Sequence, residues 1–437
     1  MNASWSHMLL GDLIELKRGY DLPKKQRVAG HVPLISSAGL SDCHDEAKVK
    51  GPGVITGRYG TIGEVFYIKD DFWPLNTTLY VKDFKGNHPK FIYYFLKTIN
   101  YLQFSDKAAV PGVNRNHLHK ASILVPLNID EQKQIAKILS DLDDKIHLNN
   151  QINQTLESIA QALFKSWFVD FDPVRAKIAA KQEGKDSELA AMCIISGKSE
   201  DEIQQMPEGD FAELQATAAL FPEEFVESEL GEVPKGWEVS TVGEQVQAVG
   251  GGTPSTKNAD FWDNGIHYWT TPKDLSNLTH KILLNTERKL TDTGLKKISS
   301  GLLPKNTVLM SSRAPVGYLA LAKIEVAINQ GYIAILPNTK YSAEYLIQWC
   351  EANMAEIKGR ASGTTFLEIS KKNFREINFI CSDEKVVTVY TKTAKTLYDE
   401  ISLKAEENQS LINLRDTLLP KLLSGDVDVS NVKESLA

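Results

Sequence analysis

The sequence contains one unit written twice, and that duplication limits what it can fold into. Trp5 is followed six residues later by Gly11, within Leu10-Gly11-Asp12-Leu13. Trp237 is followed six residues later by Gly243, within Val242-Gly243-Glu244. Each opens a globular segment, and each segment closes in a long helical stretch. The closing stretches align without gaps at an offset of 255: Leu142 falls on Leu397, Asp144 on Asp399, Ile146 on Ile401, Leu148 on Leu403, Asn153 on Asn408, Gln154 on Gln409, Leu156 on Leu411 and Leu163 on Leu418. A two-fold internal repeat implies two copies of one unit about an approximate symmetry axis. Such an object suits a partner with a two-part, roughly symmetric surface, and duplex DNA is one.

At 437 residues the chain exceeds a single core, so two to four domains are expected. With 42% hydrophobic and 24% charged residues it reads as an ordinary soluble protein. No apolar run reaches the roughly 18 residues of a membrane span, and Met1-Asn2-Ala3-Ser4-Trp5 has neither the basic nor the apolar part of a signal peptide. Cys43, Cys193, Cys350 and Cys381 are far apart and form no metal-ligand spacing, so a reduced, cytoplasmic setting is expected. The net charge of −7 is unevenly placed: residues 183–232 hold 14 acidic and 2 basic side chains, a net −12, which leaves +5 for the rest. Both repeated globules are mildly basic, at +4 for residues 1–130 and +3 for residues 237–380.

In the first globule, Gly53–Thr56, Glu64–Ile68 and Ala121–Val125 have strand character, with turns at Gly57, Gly60 and Gly63, and Lys90–Leu102 has helical amphipathicity. From about Glu131 the apolar period changes to near 3.5. Ile135, Leu142, Asn149, Leu156 and Leu163 occupy one heptad position and Ile138, Ile152 and Ile159 the other, with Lys145 interrupting. The spacing predicts a helix over residues 131–168, roughly 57 Å long, that ends before Pro173. Asn149 on that seam either fixes register as a buried amide or turns to water through a local rotation of the helix. The distal copy has Leu397, Ile401, Leu411, Leu414 and Leu418 on its seam. Short helices are expected at Asp186–Ile195, Ser199–Gln205 and Phe211–Leu220 in an acidic connector. The expected division is globules at 1–130 and 237–380, long helices at 131–172 and 381–424, the connector at 173–236 and a polar tail at 425–437. The fold class is α+β: two mixed α/β domains in pseudo-two-fold arrangement, separated by two long helices paired antiparallel as a coiled coil. Each long helix packing on its own globule is the alternative.

No motif for catalysis is evident. Gly197-Lys198-Ser199 lacks the leading glycine and strand of a phosphate loop, and the Asp/Asn-Pro-Pro-Tyr/Phe element of amino methylation is absent. His117 and His119 have no Cys or acidic partner at metal spacing, and read as surface or nucleic-acid-facing residues. The repeated loops are the candidates for recognition. Arg58-Tyr59-Gly60-Thr61 matches Arg313-Ala314-Pro315-Val316: an arginine on a stiff turn offers a bidentate fork to guanine or phosphate, or pairs with a local carboxylate. Ser36 and Ser37 match Thr271 and Lys273, as phosphate or base donors or as turn caps. Asn76 matches Asn329 and Gln330, whose amides suit adenine or a strand bridge. Lys107, Asn114, Arg115, Asn116 and His117 match Arg360, Ser362, Thr364 and Thr365, polar loops that contact a groove or are simply solvated.

Three segments carry a resemblance. Leu163-Phe164-Lys165-Ser166-Trp167-Phe168-Val169-Asp170-Phe171-Asp172-Pro173-Val174-Arg175, the run Ser228-Glu229-Leu230-Gly231-Glu232-Val233-Pro234-Lys235-Gly236-Trp237, and Leu418-Leu419-Pro420-Lys421-Leu422-Leu423-Ser424-Gly425 resemble the specificity subunits of type I restriction–modification systems. Glu131-Gln132 after Val125-Pro126 is similar to the same family. The resemblance covers essentially the whole chain. It implies two inverted target-recognition domains that each read one half of a split double-stranded DNA sequence, with the two helices as a ruler. It implies no catalysis and no cofactor in this chain. Two copies of a methylation subunit would use S-adenosylmethionine on adenine, and a restriction subunit would use ATP and Mg. The second copy departs from the pattern, with Asp383-Glu384-Lys385 where Glu-Gln is usual. A coiled-coil scaffold with two protein-binding domains is the alternative from another class; a self-sufficient methyltransferase lacks its motif.

Overall fold

The computed structural model describes residues 5–106, 112–363, 367–427 and 429. They form two compact units, one built from residues up to 147 together with those from 409 onward, the other from residues 148–408. Each unit thus combines a globule with part of a central helix, Ile129–Phe168, and part of a distal helix, Glu384–Ser424.

In the first unit, Trp5–Leu9 pairs antiparallel with Ser122–Pro126, which brings the globule's start beside its end where the chain enters the central helix. A four-stranded sheet has the order Glu15–Arg18, Thr78–Asp83, Gly53–Gly57, Val65–Ile68, and a three-stranded sheet the order Gly39–His44, Val32–Ser36, Trp73–Pro74. The helix Pro89–Lys97 buries Phe91, Ile92, Phe95 and Leu96 in a core shared with Ile135, Ala136 and Leu139 of the central helix and Leu422 of the distal helix. His88 supplies no side-chain cap to that helix; its own amide donates to Gln132 of the central helix at 2.9 Å. Trp5 binds both long helices: its Nε1 donates to Glu131 at 2.8 Å, and Gly425, at φ +77°, lies where a Cβ would come 3.0 Å from the indole. Arg415 pairs with Asp143 at 2.8 Å.

The second unit repeats this plan. Glu238–Thr241 pairs with Asn378–Cys381; a five-stranded sheet runs Gln247–Gly250, Tyr332–Leu336, Thr307–Ser311, Leu319–Ala322, Ile282–Leu283; a three-stranded sheet runs Arg288–Leu290, His267–Thr270, Ala327–Ile328. The helix Ala343–Ala352 stands where Pro89–Lys97 stands in the first unit. Here Ser342 caps it directly, accepting the Tyr345 amide at 3.2 Å.

Contacts between the two long helices run antiparallel within each unit: Asp143 meets Arg415 in the first, and Asn149 meets Asn408 and Phe164 meets Tyr390 in the second. Asn149 is fully buried; its Nδ2 donates to Asn408 Oδ1 at 2.9 Å and Glu407 Oε2 at 3.0 Å, and Asn408 donates to Asn150 at 2.9 Å. The buried-amide reading of Asn149 therefore holds. The expected seam needs correction on one side. Ile159 and Leu414 are exposed, whereas Asn153, Ala160, Phe164 and Trp167 are buried. The second stripe lies four residues after Asn149 and Leu156, at Asn153 and Ala160, not three. A straight helix drifts about 20° per heptad, and Phe164, Trp167 and Phe168 face the second unit's core as well as the other helix.

The connector is more structured than its composition implied. Helices at Ser187–Ser196, Glu200–Gln204 and Glu208–Ala218 fall near the expected positions, but Asp172–Gln182 and a hairpin of Phe225–Ser228 with Gly231–Pro234 were not foreseen. Ala191, Met192, Ile203 and Ala218 form its own small core. Lys177 is buried, and its ammonium donates to Glu188 and to the Phe221 carbonyl, both at 2.9 Å. Phe171 and Phe221 belong to the second unit's core.

Candidate nucleic-acid interface

In the first unit, the Gly53–Gly57 strand ends at Arg58, and the turn back to Val65 is set by close backbone approaches. A Cβ on Gly57 would come 1.9 Å from the Thr61 carbonyl. Arg58 and Tyr59 both donate their amides to the Thr77 carbonyl, at 2.9 and 3.2 Å, and Val113 donates to the Arg58 carbonyl at 3.0 Å. The turn is thereby joined to the segment 112–116. Tyr59 closes the joint by packing on Gly112, where a Cβ would meet its ring at 2.2 Å.

This places Arg58, Tyr59, Asn114, Arg115 and Asn116 around one open groove, with Arg18 as a further lining residue. The Arg58 guanidinium stacks over Tyr59, 4.5 Å from the ring centroid, and donates to its hydroxyl at 3.3 Å. Among the described residues neither Arg58 nor Arg115 has a carboxylate partner, and no carboxylate lines the groove. Arg18 is paired with Asp21 at 3.0 Å, and Asn76 donates to the same carboxylate. Arg18, followed by Gly19, carries in the sequence the same signal as Arg58, a cation beside a glycine turn.

The other candidates of this unit lie as follows. Ser36 donates to the Gly39 carbonyl at 3.0 Å and closes its turn, and Ser37 is buried beneath the Arg58 turn. Thr61 and His117 are exposed. Asn114 caps the helix Arg115–His119 by accepting the Asn116 amide at 2.9 Å. Lys107 lies outside the described residues. His119 corrects the surface reading: its Nε2 accepts the Leu16 amide at 3.0 Å. Burial, with the nearby Arg115 and Lys85 charges, holds its pKa below the ordinary value.

The matching loops of the second unit are built with carboxylates. Arg313 lies 3.5 Å from Glu368, whose backbone pairs with Ser362 through amides at 2.9 and 3.0 Å. Lys273 pairs with Glu287 at 2.8 Å, which raises the ammonium's pKa. Arg360 pairs with Glu356 at 2.8 Å. Thr271 caps its own helix through Asp274 at 3.0 Å, and Asn329 accepts the Gly331 amide at 2.8 Å. Gln330, exposed, accepts from Thr253. Thr364 and Thr365 lie outside the described residues. Glu368 carried no signal in the sequence, because it is 55 positions from Arg313 and only the fold brings them together.

The two surfaces thus differ in chemistry. The first offers unpaired guanidinium forks and amides, which suit guanine edges and phosphates. The second offers an arginine braced by a carboxylate, an amide and a hydroxyl. No group of three or more His, Cys, Asp or Glu among the described residues is placed to hold a metal ion.

Comparison with known proteins agrees with the duplicated plan. A family model described as the type I restriction modification DNA specificity domain matches residues 2–158 and again residues 234–411. The specificity subunit of the type I restriction enzyme HindI from Haemophilus influenzae is 34% identical over 359 residues, covering 78% of this chain and 77% of that protein. The MjaIX specificity subunit of Methanocaldococcus jannaschii is 37% identical over 156 residues, 35% of this chain and 36% of that one. In fold, the chain is similar to the crystal structure of a type I restriction–modification S subunit from M. genitalium, with a TM-score of 0.57 over 97% of this chain and 96% of that one, at 16% identity.

Proposed function

The chain belongs to the type I restriction–modification DNA specificity family, and on that premise we propose that it addresses a non-catalytic scaffold to a bipartite duplex sequence. The first globule, residues 1–130, reads one half-site through Arg58, Arg115 and the neighbouring amides. The second, residues 237–380, reads the other through Arg313, Gln330 and Ser362. The long helices hold two copies of a methylation subunit that brings S-adenosylmethionine, and a restriction subunit using ATP and Mg joins that complex. Genomic DNA as substrate places the protein in the cytoplasm; no helix among the described residues is long and apolar enough to cross a membrane.

One observation carries the reading of two identical partners. The exposed large apolar residues on the long helices occur in pairs at the repeat offset of 255: Leu148 with Leu403, and Ile159 with Leu414. An exposed leucine is ordinary on its own. Two pairs that repeat with the symmetry of the chain suit one partner docked twice. The loops show no such agreement, since Tyr59-Gly60-Thr61 in the first copy corresponds in sequence to Ala314-Pro315-Val316 in the second.

The test is the mass of the complex formed with the methylation subunit, together with a gel shift on its genome-mapped target. Two methylation subunits per chain are expected, falling to one in Leu148→Asp or Leu403→Asp and to none in the double variant, with unchanged circular dichroism. Single variants that keep both partners would remove these residues from the docking surface. Failure to prefer the target over scrambled duplex would leave the protein-binding scaffold as the function.

A further inference from the structure

Next to the Arg313 turn the second unit presents an open apolar groove. Its lining is mostly apolar, including Ala314, Pro315, Val316, Ala361 and Leu367, with Lys358 as its one charged residue. Leu367 is 61% exposed, and Ala314 and Pro315 at the turn's tip are exposed as well. The corresponding turn of the first unit has Tyr59, Gly60 and Thr61 beside unpaired arginines, so the apolar character belongs to the second copy alone. Arg313, the cation at the base of the turn, is braced by Glu368. That carboxylate opposes a phosphate at this spot.

We propose that this groove reads thymine by its 5-methyl group, with Leu367 and Pro315 as the specificity-determining contacts. The inference rests on the reading of the chain as a DNA specificity subunit. Among the base edges a duplex presents in its major groove, the thymine methyl is the one aliphatic group. Burying it against an exposed leucine removes apolar surface from water on both sides. For one methyl that is worth roughly fourfold in affinity. Most of the groove wall offers aliphatic carbon, which gives a polar base edge no hydrogen-bond partner there.

The experiment uses the assembled complex with its methylation subunit, on short duplexes carrying the genome-mapped target. Each thymine is replaced in turn by uracil, which removes the methyl and leaves every hydrogen-bonding group in place. For the wild type, at least one thymine of a single half-site is expected to show a roughly fourfold loss on conversion to uracil. Leu367→Ala should bind the thymine and uracil duplexes equally, and Leu367→Met, which restores an apolar contact, should recover the preference. The position is exposed, so neither variant threatens the core. Target preference with no thymine sensitive to its methyl, or a Leu367→Ala loss equal on thymine and uracil, overturns the proposal. Absence of any target preference overturns the function reading instead, which keeps the two failures apart.

Discussion

Asn149 allows a quantitative test of what holds the second unit's helices together. Its side chain is fully buried, and its Nδ2 donates to Asn408 and Glu407. Asn149→Ala removes both donors. Asn408, itself buried, then keeps an acceptor without a donor, which costs about 1–3 kcal/mol. Glu407, whose side chain is 37% exposed, regains water, so that loss adds only about 0–1 kcal/mol. With the void left by truncation the total is about 2–4 kcal/mol. Replacing both partners, Asn149→Leu with Asn408→Leu, removes donor and acceptor together; Asn150 loses one donor but still accepts from Thr279 at 3.1 Å. That double variant should fall within about 1 kcal/mol of the wild type, because an apolar pair of similar size strands no polar group. Urea unfolding of the four members of the Leu cycle, followed by far-ultraviolet circular dichroism, gives the coupling, with hydrogen exchange over residues 145–157 to locate the effect. The expected coupling is about 1–3 kcal/mol. Single substitutions that add within about 0.3 kcal/mol would show that the two amides do not depend on each other, and the reasoning fails.

Three further outcomes are expected. Arg58→Ala should weaken recognition at one half-site and Arg313→Ala at the other, each by about 1–3 kcal/mol at a single base pair; gel shifts on singly substituted targets read this, and equal losses on every sequence would make the arginines phosphate anchors. Inserting four residues into each long helix adds roughly 6 Å, so the preferred spacer should grow by one or two base pairs, and an unchanged spacer would end the ruler reading. His119 must be neutral to accept the Leu16 amide, and its folded pKa lies below the ordinary 6.5. The unfolded chain therefore takes up the proton first, so this contribution is complete above about pH 6.5 and declines as the pH falls below it. Urea midpoints measured down that range should fall less steeply in His119→Gln, which keeps an acceptor; an unchanged slope refutes the role.

The repeat, three strands of the first globule and the extent of the central helix were legible because each is a local pattern. Alternation, glycine turns and a period near 3.5 are written in neighbouring residues. Asn149 showed as an amide on an apolar seam, but which way it faced depended on Asn408, 259 positions away. The seam itself was misplaced at Ile159 and Leu414, since both are apolar yet exposed, and periodicity cannot separate an exposed apolar residue from a buried one. At the candidate site, the Arg58 turn was readable from its glycines. The carboxylates that brace Arg313, Lys273 and Asn76 were not, because each comes from another loop that only the sheets bring near.

The departure of the second copy from Glu-Gln has a physical reason. At an offset of 255, Glu131 and Gln132 become Val386 and Val387, both fully buried. In the first unit Gln132 accepts the amide of His88, the residue before the short helix. In the second, Val386 and Val387 are packed into the unit's core, and the corresponding helix is capped by Ser342 at the Tyr345 amide. The tie between the short and long helices shows the same exchange. Tyr94 donates to Asp143 at 2.7 Å in the first unit, and Gln348 donates to Tyr398 at 2.9 Å in the second. Asp143 and Tyr398 stand 255 residues apart. Each copy makes the same helix–helix tie with different side chains, so what the duplication preserves there is the placement of groups rather than their identity. A globule held at fixed points by interchangeable chemistry leaves its distant turns free to diverge, and Arg58-Tyr59-Gly60 and Arg313-Ala314-Pro315 have done so without disturbing the helices that both copies share.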